Sequence, residues 1–314
     1  MLPAGGGYIS GEEISKSLNI SRTAVWKYIN KLRADGYIIK SVTNRGYALL
    51  SAPDIINAEE IQNTLSTTLI GKKIFYTEKT DSTNNEAKRH SGAPNGSVFI
   101  SEIQTNGRGR RGRTWQSEKG FGIYMSILQK PDIAPYEVSK ITLLSGLAVA
   151  KALKKTGLDV GIKWPNDIVI GGKKICGILT ELSAEADSVG YVVTGIGINV
   201  NNASFPTELI KTATSVFLES GKITPRAAII RSVLEEIEPL YELFLAGSFE
   251  LILREYKALC VTLLKDIKVI TPAGEYFARA LDILPSGALL AEAGSEKKII
   301  NSGEVSVRGI GGYV

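Results

Sequence analysis

A stretch of glycines and arginines at residues 104–115 limits most strongly how this chain can fold. It reads Gln-Thr-Asn-Gly-Arg-Gly-Arg-Arg-Gly-Arg-Thr-Trp and lies between two apolar runs, residues 97–103 and 122–128, that predict buried strands. Guanidinium groups rarely enter a core without partners, so we predict that the stretch is a loop joining the two strands.

The same loop predicts an anion site. Glycine lets backbone N–H groups turn toward a ligand, and arginine side chains match phosphate or carboxylate oxygens two at a time. Trp115 ends the loop and offers a ring on which a base can stack. A basic nucleic-acid patch is the open alternative, since runs of glycine and arginine often serve that purpose. The stretch alone does not identify the anion.

Composition excludes several kinds of site. The chain has 314 residues, enough for two or three domains. It lacks an apolar run of about 18 residues and a signal-peptide pattern, so we expect a cytoplasmic protein without a membrane span. The sole histidine, His90, and two distant cysteines, Cys176 and Cys260, disfavour zinc sites and histidine-based triads. Chemistry must then depend on cations, carboxylates and positioning, with no metal site built from side chains alone.

Residues 1–50 carry +4 of the net charge of +5 and have the pattern of a helix-turn-helix. Ser10 and Glu13 form a capping box that begins a short helix, and Ser21 caps a second helix that continues to about residue 34. Residues 37–40 and 46–50 predict a β-hairpin wing. The candidate DNA-binding residues are polar or basic and lie on the second helix and the wing: Ser21, Arg22, Thr23, Lys27, Lys31 and Arg45.

Two alternatives remain for this domain. One is a small helical cap whose basic face is only solvated. The other concerns completeness: winged domains normally begin with a further helix, and residues 1–7, which include Pro3 and three glycines, cannot supply one. We therefore expect a winged helix-turn-helix over residues 1–52 that lacks its first helix.

Residues 53–262 predict a larger mixed domain. Strand-like runs at residues 160–163, 167–170, 174–182 and 190–200 follow one another closely, which indicates an antiparallel meander and disfavours a doubly wound parallel sheet. Helices are predicted at residues 58–65, 81–90, 136–156 and 225–245, whereas residues 202–223 have a loop-rich composition. Residues 263–314 contain five short strands between glycine-containing turns and predict a small β-barrel.

Five motifs, in their order along the chain, resemble those of the biotin protein ligases. They are Asp81-Ser-Thr-Asn, Gln104 with the loop to Trp115, Lys163-Trp-Pro-Asn-Asp, Lys174-Ile-Cys-Gly and Gly303-Glu-Val-Ser. With the N-terminal helix-turn-helix, the chain is similar to the bifunctional type, ligase and biotin-operon repressor in one polypeptide. The resemblance implies an α+β fold: a winged helix-turn-helix, a central mixed sheet with helices like that of class II aminoacyl-tRNA synthetases, and a C-terminal SH3-like β-barrel.

The resemblance also implies the reaction and its site. Biotin and ATP, with Mg²⁺, form biotinyl-5′-adenylate, and the acyl group passes to a lysine of a biotin carboxyl carrier protein. By position in the motifs, the ligand-binding residues are Ser82, Thr83, Asn84, Gln104, Arg108, Gly109, Arg110, Trp115, Asn166, Lys174, Gly177 and Asn199. Arg110 and Lys174 carry the catalytic charge, and the adenylate promotes a homodimer that binds operator DNA. The role of Asp167 is our own hypothesis from its position: it helps to deprotonate the acceptor lysine.

Physical chemistry agrees with these roles, because joining two anions calls for cations and positioning rather than a histidine. We also expect the arginine loop to be mobile until an anion organises it. Three other functions stay open: a ligase whose shortened N-terminal domain no longer binds DNA, a ligand-sensing repressor without ligase activity, and a lipoate ligase.

Overall fold

The computed structural model describes residues 7–34, 37–43, 45–51, 54, 56, 58–185, 188–303, 306–309 and 313. Its contacts divide the chain into two compact units, residues 1–55 and 56–314. Some predictions lie outside the described residues: the lack of a helix over residues 1–6, the helix stop at residues 35–36, the linker at residues 52–53, and residues 304–305 of the last motif.

The first unit contains the predicted helix-turn-helix and wing. Its elements are α1 (Gly11–Leu18), α2 (Arg22–Ala34), β1 (Ile38–Val42) and β2 (Gly46–Ser51). The capping box at the start of α1 is confirmed, with both reciprocal hydrogen bonds between Ser10 and Glu13. Asn19 ends α1 in the left-handed conformation, and Ser21 accepts a hydrogen bond from the Ala24 N–H at the start of α2.

A small core holds this unit together. Val25 and Ile29 of α2 pack with Ile39 of β1 because they recur on one helical face and β1 lies against that face. Strands β1 and β2 pair antiparallel, and Arg33 of α2 donates to the carbonyl of Ile39 at 2.8 Å. The helix and the wing are therefore joined by both apolar and polar contacts.

The second unit contains twelve strands and six α-helices among its described residues. They are α3 (Ala58–Gln62), β3 (Ile74–Thr80), α4 (Thr83–Arg89), β4 (Ser97–Gln104), β5 (Gly122–Gln129), α5 (Val138–Lys154), β6 (Gly161–Lys163), β7 (Asp167–Ile170), β8 (Lys173–Glu185), β9 (Ser188–Asn199), α6 (Val216–Ser220), α7 (Arg226–Leu245), α8 (Phe249–Leu259), β10 (Asp266–Thr271), β11 (Gly274–Ile283), β12 (Leu289–Ala293), β13 (Glu296–Ile300) and β14 (Ser306–Gly309).

The central sheet has the strand order β3-β4-β5-β9-β8-β7-β6. Strands β6 to β9 form the predicted antiparallel meander, and β3 pairs parallel with β4. Both faces are covered: Val98 and Ile100 of β4 join the main core with α5 and α7, while Phe99 joins Ala87 of α4 on the other face. Burial on two faces explains why apolar residues in β4 and β5 follow one another directly, as in Val98-Phe99-Ile100, rather than alternating with polar ones.

The last five strands form an open sheet with the order β13-β12-β11-β10-β14. All five predicted strands are present. The strand pairings among the described residues form an open sheet rather than a closed barrel. This sheet belongs to the same compact unit as the central sheet. Trp164, which is 1% exposed, connects the two because its indole Nε1 donates to the carbonyl of Gly287 at 3.0 Å.

The structure adds two helices to those predicted. The loop-rich segment at residues 202–223 contains the short helix α6, whose N-cap residue Ser215 accepts from the Leu218 N–H. Helix α8 was not predicted, although Phe249, Ile252, Leu253 and Tyr256 recur at helical spacing and are buried. No helix among the described residues is long and apolar enough to cross a membrane.

Candidate active site

Two adjoining clefts lie beside the arginine loop. The first is formed where the start of α4, the end of β4 and the facing strands β8 and β9 converge. The second extends from the same loop toward β7 and β14. Lining residues common to both are Gly109, Arg110, Trp115, Asn166 and Lys174.

The inner wall of the first cleft is a buried polar network. Thr83 donates from its N–H to Gln104 Oε1 at 2.9 Å, and the Ser126 hydroxyl bonds to Thr83 Oγ1 at 2.8 Å and to Asn84 Oδ1 at 2.6 Å. Ser82 is the N-cap residue of α4, yet its side chain makes no capping hydrogen bond. An ordinary cap therefore does not account for the Ser82 hydroxyl, and it remains a candidate ligand contact.

The arginine loop contacts both sheets of the unit. Arg108 bonds to Asn85 Oδ1, and Arg110 donates to Asn166 Oδ1 at 2.9 Å and to the carbonyl of Ser302. Arg111 adopts a positive φ of 57° and donates to the carbonyl of Ile270 at 3.1 Å. The loop thus brings guanidinium groups to the mouths of both clefts.

Charged groups are paired deep in the second cleft. Lys174 Nζ lies 2.6 Å from Asp167 Oδ1, and the Tyr313 hydroxyl donates to Asp167 Oδ2. Burial alone raises the pKa of Asp167, but Lys174 and Tyr313 stabilise the carboxylate enough to hold its pKa below the usual range. Lys163 lies 3.5 Å from the centre of the Tyr313 ring, and burial lowers the pKa of Lys163 to about 8.

Trp115 packs against the sheet between the clefts, where two glycines leave room for its ring. A Cβ on Gly197 would stand 2.6 Å from Trp115 Cε2, and one on Gly177 would stand 3.0 Å from Trp115 Cζ3. The indole Nε1 of Trp115 is buried and has no hydrogen-bond partner among the described residues. A donor left in this state is expected to bind a ligand or water.

The predicted ligand-binding residues converge as follows. All of them except Asn199 line the first cleft, and Asn199 and Asp167 line the second. Sequence reasoning missed Ser126 and Glu181 at the first cleft, and Arg308 and Tyr313 at the second. Ser126 had a signal, since it is a polar residue in the middle of a largely apolar strand.

All six predicted DNA-binding residues are exposed in the first unit. They are Ser21, Arg22, Thr23, Lys27, Lys31 and Arg45. Two aromatic side chains of α2 that were not predicted, Trp26 and Tyr28, are also more than half exposed, at 56% and 59%. Single exposed aromatics are unremarkable, but here they lie among the basic residues of the same helix.

Comparison with known proteins agrees with both units. Residues 75–199 match the Biotin/lipoate A/B protein ligase family, residues 1–48 an HTH domain, and residues 265–308 the Biotin protein ligase C terminal domain. The bifunctional ligase/repressor BirA of Bacillus spizizenii is 38% identical over 97% of this chain and 95% of that protein. The protein of the same name from Escherichia coli is 30% identical over 98% of this chain and 95% of that protein.

A solved structure has a similar fold over most of this chain. The biotin protein ligase from Aquifex aeolicus, in complex with biotin and ATP, is 31% identical and has a TM-score of 0.67. The match covers 76% of this chain and 99% of that one. On sequence, domain order and fold together, this chain belongs to the biotin protein ligases of the bifunctional ligase/repressor type.

Proposed function

We propose that this chain activates biotin with ATP and transfers the biotinyl group to a lysine of a biotin carboxyl carrier protein. The observation that carries the proposal is the junction of the two clefts, where Arg110, Trp115 and Lys174 line both. A small polar cleft that opens into a basic one suits the reaction of a carboxylic acid with a nucleoside triphosphate.

Each cleft takes one substrate. Biotin occupies the first cleft and contacts its polar wall and loop, namely Ser82, Thr83, Asn84, Gln104, Arg108, Gly109, Arg110 and Gly177. The adenylate lies against Trp115, Asn166 and Asn199, and the unpartnered Trp115 Nε1 supports a polar ligand there. Arg308 and Lys163, which also line the second cleft, are suited to the outer phosphates of ATP.

Adenylation brings two anions together. A carboxylate oxygen of biotin attacks the α-phosphorus, the bond from that phosphorus to the bridging oxygen breaks, and pyrophosphate leaves. Arg110 and Lys174 offset the repulsion and the charge that grows on the phosphate. Mg²⁺ bound to the triphosphate would supply further positive charge there.

Transfer requires a neutral acceptor amine, which attacks the acyl carbon and expels AMP. Asp167 lines the second cleft and is our candidate to take the proton, but its pairing with Lys174 and its lowered pKa make it a weak base. We therefore expect Asp167→Asn to slow transfer from preformed adenylate by about tenfold. A single-turnover assay measures this rate, and an unchanged rate would remove Asp167 from the mechanism.

The first unit supports repression of biotin genes. Exposed basic residues on α2 and at the turn of the wing suit DNA phosphates and base edges, as the HTH match does. In the proposed cycle, bound adenylate promotes a homodimer that binds operator DNA. The corresponding domain division is 1–52, 53–262 and 263–314, with the five short antiparallel strands of the last segment as an SH3-like domain.

Biotin-dependent exchange of pyrophosphate into ATP tests the enzyme function directly, with lipoate as the matched acid. Exchange with biotin alone is the expected result. Exchange with lipoate alone would favour the lipoate ligase, a candidate that the shared Biotin/lipoate A/B family match keeps open. Exchange with neither acid would refute the adenylating function.

A further inference from the structure

Glu181 of β8 lies behind the first cleft and bonds to one of its wall residues. Its Oε2 accepts from Asn84 Nδ2 at 2.7 Å, and its Oε1 accepts from Lys88 Nζ at 2.7 Å. Arg108 NH2 lies 3.8 Å from Oε2. Burial raises the pKa of Glu181, but the contacts with Lys88, Asn84 and Arg108 lower it by more. The pKa is therefore below its usual value, and the carboxylate is ionised.

An ionised carboxylate accepts hydrogen bonds and cannot donate them, and this decides which way the Asn84 amide points. The Asn84 nitrogen has to face Glu181, where the carbonyl of Leu179 at 3.2 Å is a second acceptor. The amide oxygen then has to face the opposite way, toward Gly195. Asn84 Oδ1 lies only 2.2 Å from where a Cβ on Gly195 would stand, and both residues line the first cleft.

We propose that Glu181 is a positioning residue that holds the Asn84 oxygen toward the first cleft, where it accepts a hydrogen bond from a ureido N–H of biotin. An amide oxygen has two lone pairs, and the Ser126 hydroxyl at 2.6 Å uses one of them. The reversed amide would present N–H groups to an N–H donor and would leave a ligand donor unpaired. This inference rests on the proposed function, since biotin is its ligand.

The substitution Glu181→Gln tests the amide orientation. Gln has one acceptor oxygen for two donors, and the charged Lys88 competes for it more strongly than Asn84 does. The Gln nitrogen then faces Asn84 and favours the reversed amide. We expect the Kd for biotin, measured by calorimetry on the full chain without ATP, to rise about tenfold or more. The kcat for pyrophosphate exchange at saturating biotin should change less than twofold.

A second substitution supplies the control and the rescue. Lys88→Met alone leaves Glu181 bonded to Asn84 and should leave the Kd unchanged. Lys88→Met combined with Glu181→Gln frees the Gln oxygen for Asn84, with Arg108 on the same side, and should recover most of the lost affinity. Biotin methylated on the ureido nitrogen that Asn84 contacts should bind weakly to the wild type and lose nothing further in Glu181→Gln, so both monomethyl isomers are titrated.

The outcomes separate this inference from the proposed function. If the wild type binds no biotin, the proposed function itself fails. If the wild type binds biotin and Glu181→Gln binds it equally well, only the positioning role fails. A loss confined to kcat, or a double variant no better than Glu181→Gln alone, would likewise overturn the positioning role and leave Glu181 as a structural partner of Lys88.

Discussion

Glycine at position 197 matters because the Trp115 ring occupies the space where a side chain would begin. A Cβ there would stand 2.6 Å from Trp115 Cε2, a contact that the strand backbone cannot relieve. We expect Gly197→Ala to move the indole and to weaken binding of ATP and biotin about tenfold or more, at the scale typical of overpacking. Gly190→Ala in the same strand is the control, since its Cβ would meet nothing nearer than the Ser183 carbonyl at 3.5 Å. Calorimetric titrations that give the same affinities for ATP and biotin in the two variants would contradict the expectation.

Burial of the Lys163 charge is expected to lower the stability of the folded chain by an amount that depends on pH. Burial lowers the pKa of Lys163 from 10.5 to about 8. Below pH 8 both the folded and the unfolded chain carry the proton, and burying the charge opposes folding. Between these two pKa values the folded chain has lost the proton that the unfolded chain retains, so the cost shrinks as the pH rises.

The substitution Lys163→Met removes that charge. We expect it to raise the free energy of unfolding at pH 7 by up to about 3 kcal/mol, and the gain to fall as the pH approaches 10. Urea unfolding at the two pH values measures the difference, with the exposed Lys173→Met as control. A gain of the same size at both pH values would mean that packing rather than charge is responsible.

At the scale of elements, Arg110 connects the arginine loop to two other parts of the second unit. Arg110 bonds to Asn166 and to the carbonyl of Ser302, so one side chain joins the loop, the turn before β7 and the last sheet. We expect Arg110→Gly to release adenylate into solution at least about tenfold faster, the scale of a lost buried hydrogen bond to a charged group. Release of labelled biotinyl adenylate from the enzyme measures this rate.

The control for the loop is Arg111→Gly. Arg111 has a positive φ that glycine adopts freely. Its side chain is exposed at the second cleft and donates to the Ile270 carbonyl of β10, whereas Arg110 donates to Asn166. Retention of adenylate close to the wild-type value is expected for it. Similar release rates for the two variants would show that the charge of the loop, and not the contact of Arg110, retains the adenylate.

Local sequence patterns predicted most of the helices and strands, but they predicted few of the contacts between residues distant in sequence. The loop at residues 104–115, the meander and the capping box at Ser10 were all accessible from spacing and composition. Helix α8 was equally accessible and was overlooked beside the longer α7. Glu181 and Tyr313 could not be assigned, because their contacts with Asn84 and Asp167 join residues 97 and 146 positions apart. Such distances are fixed by sheet register, which a local pattern does not contain.

For the whole molecule, ligation and repression are coupled through the adenylate if the proposed cycle holds. A ligand can shift DNA affinity only as far as it binds one state of the protein more tightly than the other, and the coupling is reciprocal. DNA binding should therefore require biotin and ATP together, or added biotinyl adenylate. We expect Lys174→Gln to impair synthesis of the adenylate, so that its DNA binding responds to added adenylate but not to the two substrates.

The basic face of α2 gives the last prediction. Lys27 and Lys31 are exposed one turn apart, and each phosphate contact releases counterions on binding. We expect Lys27→Gln with Lys31→Gln to weaken binding to DNA from upstream of the biotin genes about tenfold, and to lower the slope of log affinity against log salt by about 2. Gel-shift titrations at several salt concentrations give both quantities, and pyrophosphate exchange should be unaltered.

Lys16→Gln is the control, because Lys16 lies on α1 and pairs with Glu12 at 2.9 Å. A double variant that binds like the wild type would leave this face without a role in DNA binding, and would favour a ligase that does not repress.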